Sequence, residues 1–359
     1  MATPLAPAGW TGHPVTRSLI AAGAVTSLAV LLLAALLAAG GYDVGTALGA
    51  LWRGSVGSSY AFFSATLVRS TPLMLAGLAV ALAFRAGVWN IGAEGQLLAG
   101  ATAAIGAIAL PGAGSLRLVL ALLAGAIAGA LWAAPAALLR RRGVLEVIST
   151  IMLNFIALDL VGYLVRGPLQ EPTHAYPQSV TIPLEARLPR VPGTRLHLGV
   201  AIAFLAAALL RVVMRRSAWG FRVRAVGANP RAAASAGLID VERTAMGVFL
   251  VSGALAGLAG GIEVTGVTYA LYEGLSPGYG YTAIAVALLA RLDPLRVAPS
   301  AVLFGGLEAG ATAMQRDAGV PASLGTLVEG ALVLLVLLLP LLSSQWGARA
   351  MRANDVAAP

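Results

Sequence analysis

Glu94, Glu146, Asp159, Glu263, Glu308 and Glu329 interrupt an otherwise apolar chain. A carboxylate at the centre of a bilayer costs roughly 2.5 to 3.5 kcal/mol on insertion scales, so each of these groups must face protein or water. The densest polar cluster lies in VWNIGAEGQLLAGA, Val88 to Ala101, where Asn90 and Gln96 flank Glu94. Gly92 and Gly95 loosen a helix at that point, which lets backbone groups line a cavity. Such donors and acceptors suit sugar hydroxyls and base edges. A second stretch, EVISTIMLNFIA (Glu146 to Ala157), adds the Asn154 amide and the Phe155 ring for hydrogen bonding and stacking. We therefore expect a solute path that includes Asn90, Glu94, Gln96, Asn154, Phe155 and Glu308. For Asn90, Glu94 and Gln96, a fold-stabilising role at a broken helix is an equally direct reading. For Glu146, Asp159, Glu263 and Glu329 it is a buried hydrogen bond or an interfacial position.

Several chemistries are excluded or disfavoured. The chain has no cysteine, which removes disulfides, thiolate nucleophiles and Cys-based metal sites. His13, His174 and His197 fall in tail or loop positions and make neither a metal pair nor a triad, so no catalytic or metal-binding residue is expected. Gly274, Ser276 and Gly278 match G-x-S-x-G, but Pro277 and the connecting position argue against a nucleophile elbow. A phosphate-cradling P-loop needs a lysine, and every one of the 24 basic residues is arginine. If ATP drives any process here, its hydrolysis belongs to another polypeptide.

The elements that must carry these residues are membrane helices. Hydrophobic residues make up 58% of the 359, charged residues 11%, and mean hydropathy is +0.85, far more apolar surface than one soluble core hides. Runs near the bilayer requirement of about 20 residues predict ten spans in one all-α polytopic domain, residues 18 to 342. They lie near 18 to 40, 62 to 84, 91 to 110, 117 to 139, 144 to 165, 197 to 214, 244 to 266, 279 to 292, 297 to 315 and 324 to 342. The run Ser18 to Gly40 is too long for a signal peptide. Residues 1 to 17 and 343 to 359 are tails, both expected on the cytoplasmic side, because that orientation puts 16 of the arginines inside, including Arg140, Arg141, Arg142, Arg215 and Arg216. Arg69 counts among the outside set. The Pro-rich stretch 167 to 196 reads as an outer loop, and Tyr269, Tyr272 and Tyr279 as an interfacial belt. Small-residue pairs such as Gly125 with Gly129 and Gly253 with Gly257 read as close helix contacts. The net charge of +9 thus reflects inside loops, and no nucleic-acid partner is inferred.

The inside segment Arg215 to Arg243 is RRSAWGFRVRAVGANPRAAASAGLIDVER. Asn229 is a good N-cap, Pro230 suits the first helical position, Arg231 to Ser235 can form a short helix, and Gly237 can end it. A short capped helix between two spans suits docking by a soluble partner. GFRVRAVGANPRAAASAGL, followed by SGALAGLAGGIEVTG, resembles the cytoplasmic coupling region and next helix of branched-chain amino acid, ribose and nucleoside-type ABC importer permeases. VWNIGAEGQLLAGA and EVISTIMLNFIA resemble the nucleoside-type branch, and the likeness extends over most of 60 to 340.

That resemblance implies a permease subunit of an ATP-binding cassette importer for nucleosides or related polar solutes such as sugars, in a bacterial inner membrane. It implies a coupling helix, with Arg224, Gly227, Asn229, Pro230, Ala233 and Gly237 at the matching positions, seated on a separate ATPase subunit that binds the ATP, so the chain itself carries no cofactor. It also implies a second permease subunit in a heterodimer and an extracytoplasmic substrate-binding lipoprotein. The competing readings are an ion- or proton-coupled secondary transporter, using acids such as Glu94 and Glu308, and a membrane-embedded enzyme. The coupling sequence argues against the first, and the missing nucleophile or metal constellation against the second.

Overall fold

In lipid every backbone N–H and C=O must be satisfied within its own segment, and the apolar runs accordingly fold as helices. The computed structural model describes residues 27–28, 30–235, 239–321, 323–327 and 330–331. Among them, β structure is confined to isolated bridges, Gln170 with Ser179, Gln178 with Tyr272 and Arg190 with His197. The helices in chain order are α1 (Val30–Ala39), α2 (Val44–Ser55), α3 (Ser59–Ala61), α4 (Leu67–Arg85), α5 (Ala93–Ile108), α6 (Gly114–Arg141), α7 (Glu146–Arg166), α8 (Gly199–Arg216), α9 (Ala218–Ala228), α10 (Pro230–Ser235), α11 (Val241–Glu263), α12 (Tyr279–Leu289) and α13 (Pro294–Ala318). A π turn at Phe62–Thr66 joins α3 to α4, and another at Val264–Thr268 extends α11.

Five of these helices are long and apolar enough to cross a bilayer: Ser59–Arg85, α6, α7, Val241–Thr268 and α13. They coincide with five of the ten expected runs. Three other runs are helical but fall short of a full apolar span. α5 has 16 residues, α8 carries Arg211, Arg215 and Arg216 within its 18, and α12 has 11. At a rise of 1.5 Å per residue α12 is about 16 Å long, roughly half the hydrocarbon thickness. The first and tenth runs lie partly outside the described residues, as does Glu329. Two helices were not anticipated, α2 and α9. Arg69, counted among the outside arginines and lying within the expected run 62 to 84, sits in the first turn of α4.

The chain divides into two compact units. In the smaller, which comprises residues up to Leu51 and from Ala311, Leu33 and Leu37 of α1 pack with Ala47 and Ala50 of α2 and with Met314 and Val320.

The larger unit, Trp52–Gly310, is organised around α4 and α11. α4 is buried along almost its whole length. α11 crosses α6 where the two small-residue pairs meet. A Cβ on Gly129 would strike the Gly253 carbonyl, and one on Gly257 the Gly125 carbonyl. Apolar side chains gain nothing by leaving lipid for one another, so backbone-to-backbone packing of this kind is what holds such a crossing together. α6, α7 and α8 sit at the periphery and leave large apolar side chains exposed, among them Leu123, Ile127 and Leu131 on α6 and Leu205, Leu209 and Val212 on α8.

The segment 167–198 forms a loop with a single 3₁₀ turn, Leu184–Ala186. It is tied to the end of α11 by backbone bonds from Ser179 to Leu271 (2.7 Å), Ile182 to Tyr269 (2.7 Å) and Leu188 to Thr265 (2.9 Å). The guanidiniums of Arg187 and Arg190 lie 4.2 and 4.9 Å from the Tyr269 ring centre. His197, in this connection before α8, is buried with both ring nitrogens unpartnered. Burial and the neighbouring Arg190 push its pKa down to about 4.

Candidate functional site

Two helices begin inside the protein, and a carboxylate in the first turn of one is bonded by the first turn of the other. Residues 86–92 are not helical, and α5 starts at Ala93, which places Glu94 in its first turn. α12 starts after Gly278, whose φ of 100° reverses the chain. The Gly280 N–H in the first turn of α12 donates to Glu94 Oε2 at 2.7 Å, and Ser276 Oγ just before that helix accepts from the Gly278 and Tyr279 N–H groups. Unpaired N–H groups and the positive end of the macrodipole make a helix start a favourable place for an anion, and here a buried carboxylate from the first turn of α5 is bonded by the first turn of α12.

Beside this junction the expected path residues form a closed hydrogen-bond network. Asn90 is fully buried. Its amide nitrogen donates to Gln96 Oε1 (3.1 Å) and Ser252 Oγ (2.9 Å), and its carbonyl accepts from Gln96 Nε2 (3.0 Å) and the Gly92 N–H (3.0 Å). Ser252 Oγ donates onward to the Ala79 carbonyl at 2.8 Å. Asn154, on α7, accepts from the Gly95 N–H (2.8 Å) and donates to the Ile91 carbonyl (2.9 Å) and Tyr281 Oη (3.3 Å). The residues before α5 are thereby joined to α4, α7, α11 and α12. Each amide fills nearly all its hydrogen-bonding capacity within the protein, the condition under which buried polar groups stabilise a fold.

Phe155 and Glu308 lie apart from this network. Phe155 projects from α7 and is 52% exposed. Glu308, on α13, belongs to a charge cluster with Glu263 of α11 and Arg69 of α4, in which one Glu263 carboxylate oxygen is buried and unpartnered.

The exposed side of α7 is chemically mixed. Phe155 and Ile156 are followed by exposed Asp159, Tyr163 and Arg166, spaced four and three residues apart and therefore on one helix face. A cavity of about 390 Å³ opens there, lined by Leu98, Asp159, Gly162, Tyr163, Arg166 and Glu273. The Arg166 guanidinium pairs with Glu273 at its rim. Of these only Asp159 drew attention in the sequence as an intramembrane acid. The helical spacing of Asp159, Tyr163 and Arg166 was available as a signal, whereas Glu273 lies 107 residues from its partner and carries no local mark.

The turn between α9 and α10 has the expected cap. Asn229 is extended, and its side-chain oxygen accepts from the Ala232 N–H at 3.0 Å. Pro230 opens α10, and only Ala233 of that helix is buried. A Cβ on Gly227 would collide with the Arg85 carbonyl, so glycine lets α9 lie directly on the end of α4. Arg224 is half-buried, and Gly237 lies outside the described residues. Nearby, Arg140 at the end of α6 pairs with Glu242 of α11 at 2.7 Å and lies 3.8 Å from Glu146 of α7.

Residues 62–337 match the family model described as branched-chain amino acid transport system / permease component. The chain is 41% identical over 302 residues to the guanosine ABC transporter permease protein NupP of Bacillus subtilis, covering 82% of this chain and 86% of that one. It is 40% identical over 287 residues to the glucose ABC transporter permease protein TsgB13 of Haloferax volcanii, covering 76% and 74%. To the nucleoside ABC transporter permease protein NupB of Lactococcus lactis it is 31% identical over 286 residues, covering 76% and 78%.

Proposed function

The chain belongs to the family of permease components of branched-chain amino acid transport systems, and from that premise we propose that it is the membrane subunit of an ATP-binding cassette importer for nucleosides or sugars. It carries solute and does not hydrolyse nucleotide. The names of its relatives span guanosine, nucleosides and glucose, which share ribose-like or pyranose hydroxyls and ring heteroatoms as their recognisable groups.

One observation carries the assignment of the path. Asp159 is exposed in the middle of an apolar span, next to a cavity whose other polar groups are Tyr163, Arg166 and Glu273. A carboxylate there is too costly to leave facing lipid, so this side of α7 faces water or another protein. We assign it to a path formed with a second permease subunit, with Phe155 available for stacking and the Asp159 to Glu273 group for hydroxyls. Asn90, Glu94, Gln96 and Asn154 act from behind, fixing the α5 and α12 starts that back this face. The paired subunit, in a heterodimer, supplies the opposite wall.

The capped α10 projects exposed residues and sits on a short helix packed against α4, α8 and α11. That geometry suits a rigid handle for a separate ATPase subunit, with Arg224, Gly227, Asn229, Pro230 and Ala233 at the contact or directly behind it. On this reading α10 and both termini are cytoplasmic, and a binding lipoprotein delivers solute at the opposite face. ATP binding to the partner biases the permease between two states through contacts that differ in each, which is the only way a ligand can shift such an equilibrium.

Uptake by proteoliposomes tests the assignment. Labelled guanosine or glucose is expected to accumulate only with the ATPase subunit, the binding protein and ATP present. Accumulation driven by a proton or sodium gradient in the absence of the ATPase would replace this reading with secondary transport.

A further inference from the structure

Four arginines from three helices converge on a second cavity, distinct from the one beside α7. It has a volume of about 320 Å³, within the range of about 300 to 1,000 Å³ usual for ligand sites, and is lined by Arg85, Arg211, Arg215 and Arg224 with Asp293. Asp293 is committed to Arg211 at 3.1 Å. Arg85, Arg215 and Arg224 make no ion pair among the described residues, and Arg224 Nη1 is shielded from solvent without a hydrogen-bond partner. Arginine at the last turn of α4 or α8 complements a helix dipole, which accounts for Arg85 and Arg215 singly. It does not account for Arg224, which comes from the middle of α9 and brings a third uncompensated guanidinium to the same concavity. Like charges gathered in a partly desolvated pocket call for an anion, and the planar guanidinium fork matches phosphate oxygens.

We propose that this pocket binds a phosphate group, and that its source is the headgroup of an anionic membrane phospholipid. The neighbouring surface favours lipid over free phosphate. On α8, Leu205, Leu209 and Val212 are 68%, 60% and 50% exposed and form one stripe that runs to the helix end bearing Arg215. Acyl chains can lie along that stripe while the headgroup occupies the basic pocket. A lipid so placed ties together α4, α8, α9 and the turn between α12 and α13, and α9 leads directly into the capped α10.

The test uses the purified full-length chain in detergent, exchanged with phosphatidylcholine alone, with phosphatidylcholine plus phosphatidylglycerol, or with inorganic phosphate. Native mass spectrometry and the melting midpoint are read in each case. We expect retained phosphatidylglycerol and a midpoint that rises with it, and neither effect with phosphatidylcholine or inorganic phosphate. The double variant Arg85→Gln with Arg215→Gln should weaken retention by about tenfold or more, the loss of charge-assisted bonds to one anion, while Arg85→Lys with Arg215→Lys keeps part of it. Asp293→Asn, which keeps an acceptor for the Leu295 N–H and removes the competing charge, should strengthen retention. Equal retention of the two lipids, or unchanged retention in a folded double-Gln variant, would overturn the site. Protection by inorganic phosphate to the same extent would overturn the lipid source. Should the double-Gln variant fail to fold, Asp293→Asn decides, and no gain in retention counts against the proposal. Uptake does not enter these readouts, so they stand or fall apart from the transport assignment.

Discussion

Gly280 donates its backbone N–H to the Glu94 carboxylate across 186 residues of sequence, and the two helix starts touch so closely there that a Cβ on Gly280 would collide with the Glu94 backbone. Two interrupted helices are thus locked nose to nose by one side chain and one missing side chain. Glu94→Ala strands a buried N–H and should lower stability by about 1 to 3 kcal/mol. Gly280→Ala should be worse, because backbone rather than a flexible side chain must move. Melting midpoints of the detergent-solubilised variants check both.

The α6–α11 crossing gives a second stability test. Gly257 lies against Gly125 and Gly129 at backbone distance. Gly257→Leu should separate the helices and abolish the folded protein, whereas Gly106→Leu, where a Cβ meets nothing within 4 Å, should be nearly neutral. Monodispersity in size-exclusion chromatography and yield after membrane extraction discriminate the two.

The α7 face should separate transport from stability. Asp159 and Phe155 are exposed, so Asp159→Asn and Phe155→Ala remove little packing within this chain. We expect melting midpoints close to the parent and a drop in ATP-driven uptake of tenfold or more, the scale of a lost charge-assisted bond or stacking contact in a solute path. Parent-like uptake by both variants would remove this face from the path. Asn154→Ala should behave in the opposite way, lowering stability first, because it leaves the Gly95 N–H and Ile91 carbonyl without partners.

His197 predicts an acid limb in stability. Burial and Arg190 hold its pKa near 4, below the usual value of about 6.5 for an exposed imidazole. The unfolded chain therefore takes up a proton that the folded one refuses. Stability contributed by the neutral ring is complete above about pH 6.5, declines as pH falls towards 4, and changes no further below it. His197→Gln should flatten that limb in a pH series of melting midpoints.

What could be read from the sequence followed local rules. The Asn229 cap and Pro230 start are set by residues within one helical turn, and α6 and α7 announce themselves as long apolar runs. α12 begins at Tyr279, where its apolar run begins, and ends at Leu289, short of residue 292, as the chain turns through Arg291 and Leu292 at φ of 52° and 58°. The cluster Asn90, Glu94 and Gln96 was found as a group, but its partners Ser252 and Gly280 lie 162 and 186 residues away, and no local pattern pairs them. For the same reason the basic pocket was invisible. Its arginines are scattered from 85 to 224 and each reads singly as a loop or helix-end charge.

On the proposed function, α10 is the handle gripped by a separate ATPase. Arg231 and Ala232 are exposed on it, while the Asn229 cap and buried Ala233 hold it in shape. The direct measurement is co-purification of the ATPase subunit with Arg231→Glu plus Ala232→Asp, together with ATP-driven uptake by the same preparation. We expect a folded permease with an unchanged melting midpoint that no longer retains the ATPase and no longer imports. Retention of the ATPase and full import by this variant would show that α10 is not that handle.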